Sequence, residues 1–169
     1  MLSFCKKEEN LVHFPSMSCV ITESMTDGFI EEVKVAAVYV ECEGEFLFLR
    51  RRTPPHFAGE WCVPGGKVEK GEEILMGAKR ELEEETGIQV ASQDLTYIKP
   101  LYFSTIYNSF GFYIHYIALD HKPQVVLSEE HDQAVWVNEE GVLKLDIMLG
   151  GLEPFLHLQR ALKARENLK

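Results

Sequence analysis

The chain is poor in cysteine, in basic residues and in long apolar runs, and each shortage excludes something. Four cysteines, Cys5, Cys19, Cys42 and Cys62, stand in 169 residues with no C-x-x-C pair and no histidine at zinc-finger spacing. A disulfide scaffold and a structural zinc site are thereby disfavoured, and free thiols in a reducing compartment are expected. The longest apolar run, Val35 to Val40, is six residues, where a membrane span needs about 20. Lys6 and Lys7 lie beside Glu8 and Glu9, and His13, Pro15 and Ser16 interrupt the next stretch, so neither a signal peptide nor an anchor is read there. A cytoplasmic protein without membrane contact is expected. Only 17 Lys and Arg face 27 Asp and Glu, a net charge of −10. Such a chain repels polyanions, which disfavours nucleic acid as a main partner. Internal repeats and low-complexity tracts are also missing.

What is present fits one domain with a packed core: hydrophobic residues make up 46% and charged residues 26% of the chain, close to globular averages. Residues 1–31 show no sustained periodicity and are expected to form a partly flexible extension, with the domain proper over 32–169. Val33 to Val40 and Phe46 to Leu49 read as strands joined by a turn at Glu43 and Gly44, a hairpin pattern. Loops are expected over Thr53 to Glu60 and at Pro64, Gly65 and Gly66 from their breakers. Glu72 to Thr86 is the clearest helix, stopped at Gly87. Leu95 to Phe103, Phe110 to Leu119 and Ala134 to Val137 read as strands, with Glu129 to Asp132 a polar loop before the last. A closing helix from Glu153 to about Arg165 is predicted to bury Phe155, Leu156 and Leu162. The order implies an α/β fold with a mixed sheet between helices.

The acidic residues of the central helix are not evenly spread. At about 100° per residue, Glu81, Glu84 and Glu85 fall within an arc of roughly 100°, while Glu83 points elsewhere. Carboxylates about 5–6 Å apart repel by roughly 3 kcal/mol per pair at an effective dielectric of 20. Screening by Arg80 and Lys79, protonation, or a hard divalent cation with oxygen ligands would each offset that repulsion. Gly65 and Gly66, just before the helix, let a ligand approach the main chain on that side.

These residues carry a resemblance. Gly66, Glu72, Arg80-Glu81-Leu82, Glu84-Glu85 and Gly87-Ile88 are spaced as in the Nudix box, G-x5-E-x7-R-E-U-x-E-E-x-G-U, where U is a bulky aliphatic residue. The similarity extends towards MutT-like nucleoside triphosphate pyrophosphohydrolases through Arg51, His56, Trp61 and Val63-Pro64-Gly65-Gly66-Lys67. Glu130, six residues before Trp136, resembles their loop glutamate, and Glu153-Pro154 matches their pattern too. Leu152 departs from it, standing where members that read oxidised guanine carry asparagine.

The resemblance implies a Nudix-type α-β-α sandwich that hydrolyses a nucleoside diphosphate linked to another group. The substrate it suggests is a (deoxy)nucleoside triphosphate, 8-oxo-dGTP included, cut to the monophosphate and pyrophosphate. A dinucleotide polyphosphate, a nucleotide sugar, an RNA 5′ end or a non-catalytic module are the alternatives. It implies Mg²⁺, or Mn²⁺, held by Glu81, Glu84, Glu85, Glu130 and the Gly66 carbonyl. Arg80 and Glu72 would orient those carboxylates; Glu81 is a candidate general base, with Glu130 as the other and Glu129 as its neighbour in the loop. Arg51, His56, Val63 and Leu152 would meet the substrate, a small nucleotide, and Arg50 and Arg52 are further phosphate candidates. Trp61, Trp136, Tyr102, Phe103 and Tyr107 are read as packing or base-stacking aromatics, and His115 and His131 carry no assigned role. A monomer or homodimer is expected.

Overall fold

The structure is a computed structural model that describes residues 19–53, 57–105, 108–148 and 151–167. Its frame is a mixed sheet. The apolar run of the sequence forms β2 (Val33–Cys42), which turns at Glu43 and Gly44, both with positive φ (53° and 79°), into β3 (Glu45–Arg51). Two left-handed residues in succession make the hairpin turn that matches strand twist, and glycine takes one of them without a Cβ penalty. On its other edge β2 runs parallel to β8 (Ser109–Leu119) in unbroken register from Val33↔Phe110 to Cys42↔Leu119. Strand β9 (His131–Val137) pairs antiparallel with β3, as does β4 (Trp61–Cys62), and β7 (Leu101–Ser104) pairs antiparallel with β8.

Being central, β2 is buried on both faces, which is why Ala36 to Val40 shows no polar alternation. Ala36, Val38 and Val40 pack with Leu47, Leu49 and with Ala78 and Leu82 of α1 (Ile74–Thr86). Ala37 and Tyr39 pack with Phe46, Phe48 and with Phe155 and Leu158 of α3 (Leu152–Glu166). One helix on each face makes the expected sandwich. Gly87 ends α1 in the left-handed conformation, as its place in the sequence predicts.

Several expectations are corrected. Gly65 and Gly66 lie in a short strand, β5 (Gly65–Lys67), paired antiparallel with β2, where a loop was expected. The single strand expected over Leu95 to Phe103 is a 3-10 turn at Ser92–Asp94, then β6 (Thr96–Tyr97), then β7. Pro100 between them has no N–H to donate to a ladder. Strand β9 begins at His131, inside the stretch read as a loop, because its ladder reaches Arg51. A short helix, α2 (Glu139–Val142), was not foreseen, although Asn138 caps it by accepting from Gly141 N at 2.9 Å. In α3, Phe155 is buried as expected, but Leu156 faces solvent and Leu158 takes the core position. The expected extension contributes β1 (Val20–Thr22), which pairs with β7. Cys5 and most of that extension lie outside the described residues, as do His56 and Tyr107. No helix among the described residues is long and apolar enough to cross a membrane.

Candidate active site

Helix α1 sets the spacing of the acidic residues, and one guanidinium organises them. Arg80 donates twice to Glu72, from Nε to Oε1 at 2.9 Å and from Nη2 to Oε2 at 3.0 Å. Its Nη1 donates to Glu81 Oε1 at 2.8 Å and to Glu84 Oε2 at 3.1 Å, and its Nη2 also reaches Lys67 O in β5 at 3.1 Å. The hydrogen bonds from Arg80 hold the Glu72 carboxyl below its ordinary range. Burial pushes Glu81 upward despite Arg80 beside it.

Glu85 is the most enclosed member of the group, 5% exposed. Burial, with Glu81 and Glu130 nearby, pushes its carboxyl up to about 8, although Gly65 N donates to Oε2 at 2.9 Å. Behind it stand His131 Nε2, 3.8 Å from Glu85 Oε1, and Cys62 Sγ, 3.6 Å from that same nitrogen. Burial and then Arg51 push His131 down to about 4, and burial and then Glu85 push the Cys62 thiol up to about 12. The back of the site therefore holds a neutral imidazole and a neutral thiol, and Cys62 is no thiolate nucleophile. Nothing in the sequence pattern marks this pair, since His131 meets Glu85 only through the tertiary fold.

Two close approaches shape the front. A Cβ on Gly66 would lie 2.5 Å from the Glu81 carboxyl, and one on Gly65 would lie 2.6 Å from Ala36 O. The absent side chains are what let the carboxylate and strand β2 reach this backbone. Glu130 arrives from the loop before β9. That loop is tied to the end of α1 by Val126 N donating to Thr86 O at 2.8 Å and Ser128 N to Glu85 O at 3.3 Å. Arg52 N donates to Glu130 O at 2.7 Å, and Arg51 Nη2 to Glu130 Oε2 at 3.3 Å.

Arg51, Val63, Gly66, Glu81, Glu85 and Glu130 line one cavity of about 620 Å³. Glu84 is not on its wall but faces outward, more than half exposed. Leu152 packs against the core while its neighbours Gly151 and Pro154 line the cavity. Arg50 is engaged bidentately with Asp132, at 2.7 and 2.9 Å. Trp61 and Trp136 pack against the two cores. Lys67, Tyr39, Phe110 and Phe112 line the cavity without having been singled out as site residues; Lys67 had a signal, lying next to Gly66 in the motif.

The donors available around this wall are carboxylates and main-chain carbonyls, the chemistry of a hard divalent cation. The room that Gly66 leaves for the Glu81 carboxyl fits such a group. In this structure Arg80 and Arg51 engage three of the four carboxylates, and among the described residues no three acidic, histidine or cysteine side chains converge as a ligand set.

Known proteins of differing names resemble parts of this chain. A putative 8-oxo-dGTP diphosphatase 2 of Mycobacterium tuberculosis is 49% identical over 45 residues, 27% of this chain and 32% of that protein. An octanoyltransferase of Myxococcus xanthus is 36% identical over 101 residues, 57% of this chain and 27% of that protein. The chain thus spans about a quarter to a third of the length of these curated relatives. Among solved structures, a Caenorhabditis elegans Ap4A hydrolase binary complex superposes with a TM-score of 0.63 at 26% identity, covering 78% of this chain and 98% of that one. The NUDIX domain pattern itself matches residues 31–158, three quarters of the sequence, so with the sandwich and the helix-borne glutamates in place the chain belongs to the Nudix family.

Proposed function

We propose that the protein is a divalent-cation-dependent pyrophosphohydrolase that cuts a nucleoside triphosphate to the monophosphate and pyrophosphate. The observation that carries this reading is the joining of Glu81, Glu85 and Glu130 with Arg51 and Lys67 on one cavity wall. Glu81, Glu84, Glu85, Glu130 and the Gly66 carbonyl would hold Mg²⁺ or Mn²⁺, which neutralises phosphate charge and acidifies a bound water. The residues around them have separate tasks. Arg80, braced by Glu72, orients Glu81 and Glu84. Arg51 and Lys67 offer positive charge to the phosphates. Glu81 is the better placed proton acceptor, because its burial raises its affinity for a proton, whereas Glu130 is largely exposed. The diphosphatase named among the relatives supports the triphosphate. Leu152, turned to the core, gives no support to an oxidised guanine in particular.

A dinucleotide polyphosphate is the second reading, favoured by the likeness to the nematode Ap4A hydrolase over nearly its whole length. The test is turnover of nucleoside triphosphates and Ap4A with Mg²⁺, monitoring pyrophosphate against phosphate release from the triphosphates and mononucleotide products from Ap4A, for wild type, Glu81→Gln and Glu84→Gln. Pyrophosphate release that falls at least about 10²-fold in both variants is expected. No turnover of any nucleotide sinks the enzyme reading; unchanged variants sink the cation assignment; phosphate in place of pyrophosphate contradicts the bond chosen.

A further inference from the structure

The cavity walls differ in chemistry. α1, β5, the end of β3 and the loop before β9 supply its charged groups, whereas β2, β7, β8 and the segment leading into α3 supply an apolar wall. Phe103 and Phe110 stack there with ring centroids 4.7 Å apart and planes 6° from parallel, and Phe112 packs edge-on against Phe103. Asn108 sits at the rim, exposed, with its Oδ1 accepting from Thr105 Oγ1 at 3.0 Å. The other polar side chain on the apolar wall is Tyr39.

Tyr39 lies in the middle of β2, 1% exposed, its ring packed against Phe155 at 6.1 Å. Its side chain lines the cavity, and no hydrogen bond to a described residue engages its hydroxyl; the buried side-chain polar atom left unpaired among the described residues is His115 Nδ1, so the Tyr39 hydroxyl is not sealed in the core but open to the cavity. Two other partly enclosed tyrosines are served differently. Tyr113 donates to Glu31 at 2.7 Å and Tyr116 donates to Glu41. A hydroxyl that opens on a cavity and has no protein partner is met there by water or by a ligand. Burial, with Cys62 and Glu153 nearby, pushes the Tyr39 phenol well above its ordinary range, so it stays a donor at any working pH.

We propose that the Tyr39 hydroxyl is a specificity-determining group that donates to a carbonyl or ring-nitrogen acceptor on the base of the substrate, held against the phenylalanine wall. The substrate class is then a nucleotide with an uncharged heteroaromatic base entering the apolar part of the cavity, its phosphates at the charged part. A sugar placed there would present several hydroxyls to one donor and leave the rest unpaired. This assignment rests on the hydrolase reading above.

The experiment measures kcat/KM of wild type and Tyr39→Phe with Mg²⁺ on ATP, GTP, CTP and UTP, and the binding of the four monophosphates by calorimetry. The variant should lose about tenfold in kcat/KM on the favoured nucleotide, through KM with kcat kept within about threefold, and stay within about twofold on the others. Its thermal midpoint should not fall, since the ring is retained. An equal loss on all four nucleotides, or no loss on any, overturns the role of Tyr39 and leaves the hydrolase reading standing. If wild type hydrolyses none of them, the hydrolase reading fails separately and binding decides: base-selective monophosphate binding weakened in Tyr39→Phe upholds the donor, and unselective, unchanged or absent binding overturns it.

Discussion

Gly65 and Gly66 are adjacent, and alanine at each should do a different kind of damage. A Cβ at Gly65 would sit 2.6 Å from Ala36 O and 2.7 Å from Ala37 Cα, both main-chain atoms of β2. Those atoms cannot rotate away, so the β2–β5 pair must part by several tenths of an ångström. Overpacking of this kind costs about 1–3 kcal/mol and a weakened ladder hydrogen bond about 1 more. Taking about 3 kcal/mol for a domain of this size, the thermal midpoint of Gly65→Ala should fall by roughly 6–12 °C. At Gly66 the obstacle is the Glu81 carboxyl at 2.5 Å, the mobile end of a side chain. To reach ordinary contact it must retreat by about 0.9 Å, loosening its bond to Arg80, a partly exposed pair worth under about 1 kcal/mol. Gly66→Ala should therefore unfold within about 3 °C of wild type. Its turnover should nonetheless fall by about 10²-fold, because a displacement near 1 Å at a reacting centre has that effect. Circular-dichroism melts and pyrophosphate release, run on both variants, separate stability from activity. Wild-type turnover in Gly66→Ala, or an equal loss of thermal midpoint in the two, would refute the reasoning.

Burial leads to two further outcomes. In the cation-free protein Glu85 has its pKa pushed up to about 8 from an ordinary value of 4.5, so its contribution to stability is fully present below about pH 4.5 and is lost as pH rises through 8. Glu85→Gln keeps an oxygen for Gly65 N and removes the charge, so at pH 9 with chelator it should be more stable than wild type by about 2–5 kcal/mol, with no gain at pH 4; urea melts at the two pH values check this, and equal stability at pH 9 would count against it. Phe155 is fully buried against the rings of Tyr39, Phe46 and Phe48, and Phe155→Ala should cost about 3–5 kcal/mol in urea unfolding; a loss under about 1 kcal/mol would mean that α3 does not close that core.

Much of the site was legible because it is local. Glu81, Glu84 and Glu85 fall on one face by helix period alone, and the resemblance gives Glu72 and Arg80 the role of orienting them, whereas their mutual pairing is seen only in the fold. Glu130 was reached only through the resemblance, since 45 residues separate it from Glu85 and it is brought near by tertiary hydrogen bonds, from Val126 and Ser128 to the end of α1 and from Arg51 and Arg52 to Glu130 itself. Periodicity misled where a ladder decides the outcome. Gly65 and Gly66 read as breakers, yet strand pairing with Ala37 and Ala36 uses them as a strand. Leu156 and Leu158 are equally apolar, and the pitch of α3 against the sheet buries only the second.

By itself the sequence determined the central hairpin, the helix that carries the carboxylates and the family they mark, because each depends on residues within a turn or two of one another. The tertiary structure decided the rest: that Glu84 faces solvent while Glu85 is enclosed, that His131 and Cys62 back the site as neutral groups, and that Tyr39 lines the cavity. Those outcomes depend on which surfaces two distant segments bring together, and burial and hydrogen-bond pairing exist only after that packing has been made.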